Sequence, residues 1–281
     1  MKYIEKLNKE VSIVRECKNV LVEGESIYQK YMICQTDTFG QIVVIEGDIQ
    51  STQNSEKQYH ELLVHPAMLA HKNPETVLIM GGGEGATLRE VLKYKSVKKV
   101  VMVDIDEEFV NVCKMYLPTF HEDSFNDERA EVLYEDINKY IDETKEKFDV
   151  VIGDLVDLSY DEENKIYKSF YDGKFYKKLK TILNGKYVIA TQAGDLTKAS
   201  AHKFIRDSIK EETKNIKTYG QFIPDFYAYW GYIIATDEEL EIEEIIEKEY
   251  EKKEMKFQVL EKKDLRDIFN IPTFIEKKYK Y

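Results

Sequence analysis

The sequence predicts an α/β fold, in which a parallel sheet is covered by helices on both faces and a small antiparallel sheet precedes it. Beyond residue 75, short runs of four or five apolar residues alternate with helical patterns. A strand that is buried on both faces, as in a parallel sheet, reads as a continuous apolar run. The runs lie at residues 76–80, 100–103, 148–152 and 187–190. The first 50 residues, in contrast, show short strand patterns without a long helical period, which indicates antiparallel strands.

Two domains are expected within the 281 residues. Residues 1–55 are predicted to form an N-terminal β-strand domain. Its strand patterns lie at residues 11–14, 20–22 and 41–45. Residues 56–281 are predicted to form the second domain, which begins with a helical pattern from Tyr59 to about His71.

The remaining elements follow in order along the second domain. Helices are predicted over residues 86–92 and 107–116, and a third strand over 131–135. Two strand patterns near residues 216–235, separated by a short proline-containing connection, predict a closing antiparallel pair. The Glu/Lys-rich stretch 238–256 predicts a solvated surface helix.

The composition indicates a soluble globular protein, with 43% hydrophobic and 33% charged residues. No run approaches the roughly 20 apolar residues of a membrane-spanning helix. The first residues also lack the apolar stretch of a secretory signal, so we expect a cytoplasmic protein without a membrane partner. The net charge of −12 disfavours a nucleic-acid partner, because affinity for nucleic acid comes largely from neutralising phosphates.

Neither a disulfide framework nor a metal site is expected. Cys17, Cys34 and Cys113 are scattered and odd in number, which predicts reduced thiols. The simplest interpretation of His60, His65 and His71 is that they lie on the surface of a helix. Because no Cys, His or carboxylate set has the spacing of metal ligands, we predict no metal.

A glycine cluster, Gly81-Gly82-Gly83-Glu84-Gly85, follows the first apolar run. Glycines there allow a tight strand-to-helix turn and a close approach of a ligand to the backbone. Asp104 ends the next strand, about 20 residues on, where a carboxylate accepts the ribose hydroxyls of a nucleoside. The spacing lacks the final small residue of the dinucleotide fingerprint and resembles the first motif of the Rossmann-like, S-adenosylmethionine-type fold. An ordinary glycine turn is the structural alternative.

Further carboxylates follow the third and fourth strands. Asp136-Ile137 lies where that fold reads the edge of adenine, although an acidic residue there is also a common helix cap. Asp154 and Asp157 come after the fourth strand. Because the carboxyl ends of the strands form the ligand crevice of an open α/β sheet, these two side chains can hold a cation, and one can accept a proton from it. A helix cap with a solvated turn is the alternative.

Several motifs follow one another in a characteristic order. They are Gln29, Gln50, Tyr59-His60-Glu61-Leu62-Leu63-Val64-His65-Pro66, the glycine cluster, Val103-Asp104-Ile105-Asp106 and Asp154-x-x-Asp157. This order is similar to that of the polyamine aminopropyltransferases, the spermidine synthase family. The resemblance runs from about residue 20 to residue 236.

The resemblance implies that an aminopropyl group moves from the co-substrate decarboxylated S-adenosylmethionine to a polyamine. The by-product would be 5'-methylthioadenosine, and neither a prosthetic group nor a metal would take part. The N-terminal domain would join subunits into homodimers or homotetramers and act as a lid over the active site.

The resemblance also implies roles for individual residues. Asp154 would be the general base, and Asp157 would help to hold the acceptor amines. The donor side would consist of Gln29, Gly81, Gly83, Glu84, Gly85, Asp104 at the ribose, and Asp136 with Ile137 at the adenine. The acceptor side would consist of Gln50, Tyr59, His60, Glu84, Asp154, Asp157, Phe226 and Trp230. Core packing is the alternative for Trp230 and for its neighbour Tyr227.

Some positions depart from the common spermidine synthase pattern. Glu84 stands where the family usually has Asp, Leu158 where it has Pro, and Phe226 where many spermidine synthases have Tyr. Glu84 and four segments are more like thermospermine synthases, which extend a triamine; the segments are Ile152-Gly153-Asp154-Leu155, Lys168-Ser169-Phe170-Tyr171, Thr191-Gln192-Ala193-Gly194 and Ile223-Pro224-Asp225-Phe226-x-x-x-Trp230-Gly231. The loop at residues 158–165 also departs from the family pattern. A triamine such as spermidine is therefore the expected acceptor, giving a thermospermine- or spermine-type product, with putrescine and agmatine as alternatives.

Two other classes of protein remain open. A small-molecule methyltransferase would use ordinary S-adenosylmethionine, whose carboxylate Glu84 would repel. A catalytically silent binding protein would not need Asp154 and Asp157, which are both present.

Overall fold

A computed structural model describes residues 1–7, 10–157, 169–198, 200–239, 241–252 and 255–279. The N-terminal strands form two antiparallel sheets. The first pairs β1 (Lys2–Lys6) with β2 (Ser12–Glu16). The second contains β3 (Asn19–Glu25), β4 (Lys30–Gln35), β5 (Gln41–Ile45) and β6 (Asp48–Thr52) in chain order. The small antiparallel sheet predicted from the sequence is thus present, with an additional hairpin before it.

The central sheet has seven strands. They are β7 (Thr76–Gly81), β8 (Lys99–Asp104), β9 (Ala130–Tyr134), β10 (Phe148–Asp154), β11 (Leu183–Asp195), β12 (Asn215–Ile223) and β13 (Ala228–Thr236). Their order across the sheet is β12-β13-β11-β10-β7-β8-β9. The pairings from β9 to β11 are parallel, and β13 and β12 close the sheet with antiparallel pairings. This sheet confirms the predicted Rossmann-like fold, and its strand order reverses between β7 and β10.

Ten α-helices lie in the described part of the chain. They are α1 (Glu56–His71), α2 (Ala86–Leu92), α3 (Glu107–Tyr116), α4 (Pro118–His121), α5 (Ile137–Glu143), α6 (Gly173–Leu179), α7 (Ser200–Lys210), α8 (Ile242–Lys252), α9 (Lys262–Asp267) and α10 (Thr273–Tyr279). Single 3₁₀ turns occupy Ser124–Asn126, Lys180–Ile182, Leu196–Lys198 and Pro224–Phe226. Within the described residues, every helix is too short or too polar to cross a bilayer.

Helix α1 is almost entirely buried, which corrects one prediction. It contacts α2, the central sheet and α8, so protein surrounds most of its circumference. His60 and His65, predicted on the helix surface, are 3% and 0% exposed. The prediction was wrong because residues far along the chain cover the polar face of the helix. For example, the ring of Phe257 stacks on His65 with 3.7 Å between ring centroids.

The charged stretch near the C-terminus forms α8, but this helix is not wholly solvated. Ile242 and Ile246, four residues apart, are fully buried against the main core. Residues four apart lie on one face of a helix, so this pair supplies an apolar stripe. Most charged residues occupy the other faces, where Glu247 pairs with Arg266. Glu249, on the face of the two isoleucines, is also buried and pairs with Lys252.

The expectation of three reduced thiols was wrong for two of them. Cys17 and Cys34 form a disulfide, with 6.0 Å between their Cα atoms. The pairing depends on strand register: the amide of Lys18 donates to the carbonyl of Gln35 at 2.8 Å, which places the two cysteines side by side. Sequence spacing does not reveal that register. Cys113 is a buried free thiol.

Asp225 links the N-terminal strands to the second half of the chain. It is 2% exposed, and its carboxylate accepts hydrogen bonds from the hydroxyl of Thr52 and, at 3.3 Å, from the amide of Asn54. Its backbone carbonyl accepts from the guanidinium of Arg15 at 2.7 Å. Strands β1 to β6 are thereby fixed against the 3₁₀ turn that precedes β13.

We expect Asp225→Ala to lower the free energy of unfolding by about 1–2 kcal/mol, because it removes the buried acceptor of the Thr52 hydroxyl and of the Asn54 amide. Urea unfolding followed by circular dichroism measures the loss. The matched control is Asp37→Ala, which removes an exposed ion pair with Lys18 and should change the free energy by less than about 0.5 kcal/mol. Equal effects of the two substitutions would show that Asp225 does not join the two parts.

Candidate active site

A cavity of about 410 Å³ lies at the carboxyl ends of the parallel strands, where the strand order reverses between β7 and β10. Ligand crevices of open α/β sheets form at such a point. The N-terminal strands close the opposite side, since Gln29, Ile45, Ile49 and Gln50 also line the cavity. Both parts of the chain therefore contribute to one site.

The glycine turn after β7 forms the floor of the cavity. Gly81 has a φ of +77°, and a Cβ there would lie 2.4 Å from the backbone oxygen of Asp154. A Cβ on Gly83 would lie 3.0 Å from the carboxylate of Asp104. Glycine at these two positions therefore allows the turn to pass close to the backbone of Asp154 and to the carboxylate of Asp104.

Gly85 lies at the edge of the glycine turn. It is outside the residues that line the cavity, and its contact with the donor stays a prediction. Its φ is +77°, and a Cβ there would come within 2.5 Å of the Phe125 ring. Gly85 is the residue before α2, and its role in the structure is to start that helix beneath Phe125.

Asp104, Asp106 and Gln29 form a polar group at one end of the cavity. Burial raises the pKa of Asp104 to about 6, although backbone hydrogen bonds oppose the shift. Its Oδ1 accepts from the amide of Asp106 at 2.9 Å. The Asp106 carboxylate accepts from the Gln29 amide at 3.0 Å and from the Ser26 hydroxyl at 2.6 Å. Ser26 and Gln29 lie between β3 and β4, so this contact fixes the N-terminal strands over the end of β8.

Asp136 and Ile137 also line this end of the cavity. The Asp136 side chain accepts from the amide of Asn138 at 2.7 Å and caps α5. The helix-cap interpretation is therefore confirmed for Asp136, which also contributes to the wall of the cavity; its contact with adenine stays a prediction.

Asp154 occupies the centre of the cavity with both oxygens hydrogen-bonded. Its Oδ1 accepts from the Tyr59 hydroxyl at 3.1 Å, and its Oδ2 accepts from the Thr87 hydroxyl at 2.6 Å. Burial and the neighbouring Asp154 charge raise the pKa of Tyr59 well above its usual value, so the phenol keeps its proton and remains a donor. The Asp154 carboxylate is thereby held in one orientation.

Two further carboxylates near Asp154 have raised proton affinity. Burial raises the pKa of Asp157 to about 7, with a hydrogen bond from Gln192 opposing the shift and the charge of Asp48 adding to it. Burial also raises the pKa of Glu84 to about 7, against the charge of His60 and a hydrogen bond from Ser51. Groups with such values can gain or lose a proton near neutral pH.

An aromatic wall, formed by Tyr59, Phe226 and Trp230, stands beside these carboxylates. The ring centroid of Phe226 lies 4.9 Å from that of Trp230 and 6.0 Å from that of Tyr59. All three side chains line the cavity. Tyr227 does not: it is exposed, and its ring lies 5.5 Å from the guanidinium carbon of Arg15. Apolar methylene groups of a ligand would fit against this wall.

The structure brings together every predicted site residue except Gly85. Those lining the cavity are Gln29, Gln50, Tyr59, His60, Gly81, Gly83, Glu84, Asp104, Asp136, Ile137, Asp154, Asp157, Phe226 and Trp230. The loop at 158–165 lies outside the described residues. Sequence reasoning missed Thr87 as the partner of Asp154, because a threonine in the first turn of a helix is common and gives no signal by itself.

One group of side chains in the described residues has the composition of a metal site. Glu61, His65 and Glu90 lie with their ligand atoms within 4.8 Å of one another. The Glu61 carboxylate accepts backbone hydrogen bonds from residues 258–260, two of them at 2.8 and 3.0 Å. Glu90 pairs with Arg89 and Lys93 at 2.8 and 2.6 Å. The two carboxylates therefore already have partners, backbone amides for Glu61 and cationic side chains for Glu90.

Comparison with known proteins places the chain in a family. Residues 56–245 match the spermine/spermidine synthase domain, and residues 2–53 match the spermidine synthase tetramerisation domain. The chain belongs to the spermine and spermidine synthase family. The family and the enzyme class predicted from the sequence, an aminopropyltransferase, are thus confirmed.

Relatives in this family include enzymes of two kinds. A polyamine aminopropyltransferase of Aeropyrum pernix is 39% identical, over 84% of this chain and 75% of its own length. A thermospermine synthase of Arabidopsis thaliana is also 39% identical, over 80% of this chain and 66% of its own length.

Solved structures of the family have the same fold. Spermidine synthase from Thermotoga maritima superposes with a TM-score of 0.89 at 25% identity, covering 100% of this chain and 94% of its own. A spermidine synthase in complex with the transition-state analogue AdoDATO gives a TM-score of 0.91 at 26% identity, covering 100% and 95%.

We expect Gly85→Ala to destabilise the protein by about 2 kcal/mol or more, because the new Cβ meets Phe125 and the backbone conformation disfavours it. Thermal and urea unfolding measure the change. Gly185→Ala is the control, since nothing lies within 4 Å of a Cβ at Gly185, and its effect should stay within about 0.5 kcal/mol. A Gly85→Ala protein as stable as the control would contradict this account of the turn.

Proposed function

We propose that the enzyme transfers the aminopropyl group of decarboxylated S-adenosylmethionine to a linear polyamine, preferably a triamine such as spermidine. One observation carries the proposal: the described residues lining the cavity include seven acidic side chains and neither lysine nor arginine. The seven are Glu84, Asp104, Asp106, Glu135, Asp136, Asp154 and Asp157. A sulfonium donor with an ammonium tail and a polycationic acceptor are both ligands that such a cavity would attract.

The donor would lie along the β7 to β9 side of the cavity. Asp104 would accept the ribose hydroxyls, Asp136 with Ile137 would contact the adenine, and Gln29 would lie on the nucleoside side. Gly81 and Gly83 let the nucleoside approach the backbone. Glu84 would pair with the aminopropyl ammonium, and the same carboxylate would repel the carboxylate of ordinary S-adenosylmethionine. That repulsion favours aminopropyl transfer over methyl transfer.

The reaction would form a carbon–nitrogen bond and break a carbon–sulfur bond. The neutral amine attacks the methylene carbon beside the sulfonium, and the electron pair of the broken bond leaves with sulfur as 5'-methylthioadenosine. An amine is protonated at neutral pH, so a base must take a proton before or during the attack. Asp154 would be that base, because its orientation is fixed by Tyr59 and Thr87. Fixing amine, carbon and sulfur in line supplies much of the rate.

The acceptor would lie between the aromatic wall and the carboxylates. Asp157, Gln50, Tyr59 and His60 would surround its amines. Phe226, in place of a tyrosine, makes the wall more apolar at one point. Together with Glu84 and the similarity to a thermospermine synthase, this supports a triamine; putrescine and agmatine are the alternatives.

Assembly and location complete the proposal. Residues 1–55 would form the domain that joins subunits into a homodimer or homotetramer, and residues 56–281 the catalytic domain. The match of residues 2–53 to a tetramerisation domain supports this division. The N-terminal residues Gln29 and Gln50 line the cavity, which supports an additional role as a lid. We place the enzyme in the cytoplasm and assign it no prosthetic group, metal, nucleic-acid or membrane partner.

Asp154→Asn should lower kcat by a factor of about 10²–10⁴, the usual effect of losing a positioned base, while donor binding and the fold are retained. Steady-state kinetics and calorimetric titration with 5'-methylthioadenosine provide the two measurements. The control is Asp142→Asn, since Asp142 forms an exposed ion pair with Lys178, and its kcat should equal that of the parent. An Asp154→Asn enzyme within a few-fold of the parent would remove Asp154 from this role.

Product analysis by mass spectrometry tests the acceptor. Purified protein is incubated with decarboxylated S-adenosylmethionine and, in parallel, putrescine, agmatine, spermidine and norspermidine. We expect 5'-methylthioadenosine and a tetraamine as the main products, with chromatography separating spermine from thermospermine. Spermidine made chiefly from putrescine would replace the triamine proposal, and consumption of ordinary S-adenosylmethionine without aminopropyl transfer would overturn the reaction itself.

A further inference from the structure

A line of buried charged side chains lies directly behind the cavity. Glu56 and His60 are on α1, and Arg89 is on α2; each is at most 5% exposed. Arg89 donates two hydrogen bonds to the Glu56 carboxylate, from Nη1 to Oε1 at 3.1 Å and from Nη2 to Oε2 at 2.8 Å. Burial would raise the pKa of Glu56, but its bonds with His60 and Arg89 lower it overall. Glu56 is thus a fixed buried anion.

Both ring nitrogens of His60 face oxygen acceptors. Nδ1 lies 2.7 Å from the Glu56 backbone oxygen and 3.3 Å from its carboxylate. Nε2 lies 3.9 Å from Oδ2 of Asp154. The 2.7 Å contact is a hydrogen bond, which Nδ1 donates when it carries the ring proton. The 3.9 Å contact is too long for a hydrogen bond, but a second proton on Nε2 places a positive charge beside the Asp154 carboxylate, and this attraction favours the imidazolium.

We propose that Glu56, held by Arg89, is a positioning residue that keeps His60 as an imidazolium directed at the base Asp154. The inference rests on the proposed function, because it assigns this cation a task in aminopropyl transfer. It adds Glu56 and Arg89, neither of which lines the cavity, to the residues on which the reaction depends.

The groups that face His60 from each neighbouring element agree with this charge. They are Glu56 on its own helix, Asp154 at the end of β10 and Glu84 in the turn after β7; the Tyr59 hydroxyl bonds to Asp154, and Arg89 lies behind Glu56. Burial disfavours the charged ring, but the bond with Glu56 and the charges of Asp154 and Glu84 raise the pKa of His60 overall. The His60 charge in turn opposes the rise that burial causes in the pKa of Glu84.

A fixed cation at this position has a chemical use. The attacking amine must be neutral, and a neighbouring positive charge disfavours its ammonium form. The same charge opposes the rise in the pKa of Glu84 and lies beside Asp154, the carboxylate that accepts the proton. Without the imidazolium, Glu84 would hold its proton to higher pH and the amine would hold its own.

The first measurement is the ¹⁵N spectrum of the ring nitrogens of His60 in the parent enzyme at pH 7, assigned by comparison with His60→Gln. We expect both nitrogens to be protonated. A neutral ring in the parent would overturn the proposal without any variant of Glu56, so it remains testable even if that variant fails to fold.

The second measurement uses Glu56→Gln, which removes the charge at constant size. His60 should then lose its proton at lower pH than in the parent. The kcat should fall about tenfold, the effect of one pKa unit of interaction, and the acid limb of its pH profile should move to higher pH. Glu56→Asp, which keeps the charge, should restore part of the activity.

Glu90→Gln is the matched structural control. Glu90 is also fully buried, and it also accepts a hydrogen bond from Arg89, at 2.8 Å. None of the His60 contacts described above involves Glu90. In the Glu90→Gln enzyme, His60 should lose its proton at the same pH as in the parent.

One outcome would show that the role of Glu56 is merely structural. In that case the Glu56→Gln enzyme loses activity, while the titration of His60 and the pH profile of the reaction stay unchanged. Failure of the proposed function is distinguishable, because the parent would then transfer no aminopropyl group to any amine while the ¹⁵N result still stands.

Discussion

Several carboxylates share one largely buried cavity, and much of the structure around them serves to hold these acids together. Removing a carboxylate from water without compensation is strongly unfavourable. Here each acid has partial compensation: backbone and glycine-turn amides at Asp104, the hydroxyls of Tyr59 and Thr87 at Asp154, a hydrogen bond from Gln192 at Asp157, and the charge of His60 with a hydrogen bond from Ser51 at Glu84. The free site thus keeps a surplus of negative charge that a polyamine and a sulfonium donor can neutralise.

The cavity forms where the N-terminal strands meet the central parallel sheet. The parallel sheet supplies the ends of β7, β8 and β10, and the N-terminal strands cover them. Hydrogen bonds from Ser26 and Gln29 to Asp106, together with those at Asp225, fix the two parts at opposite ends of the opening. Because Gln50 also reaches the cavity from the N-terminal side, the same strands line the cavity and contact the second half of the chain. Disturbing the junction should therefore affect binding as well as stability.

Where sequence reasoning failed, the cause was distance along the chain. The pattern of α1 predicted a helix correctly, but the stacking of Phe257 on His65 joins residues almost two hundred positions apart. Cys17 and Cys34 pair through a strand register that no spacing rule reveals. Helix α8 buries Ile242 and Ile246 beneath a sequence that is mostly charged. In each case the local pattern identified the element, and a remote partner decided its burial.

The sequence by itself determined the parallel strands, the glycine turn and the positions of Asp104, Asp136, Asp154 and Asp157 at strand ends. It could do so because strand period, positive φ and strand termini are properties of neighbouring residues. Only the tertiary structure decided that Thr87 orients Asp154, that Arg89 fixes Glu56 beside His60, and that Gly85 supports a helix instead of lining the cavity. Those facts depend on distances between atoms of remote residues, and a hydrogen bond or an ion pair exists only once the fold has brought both partners within reach.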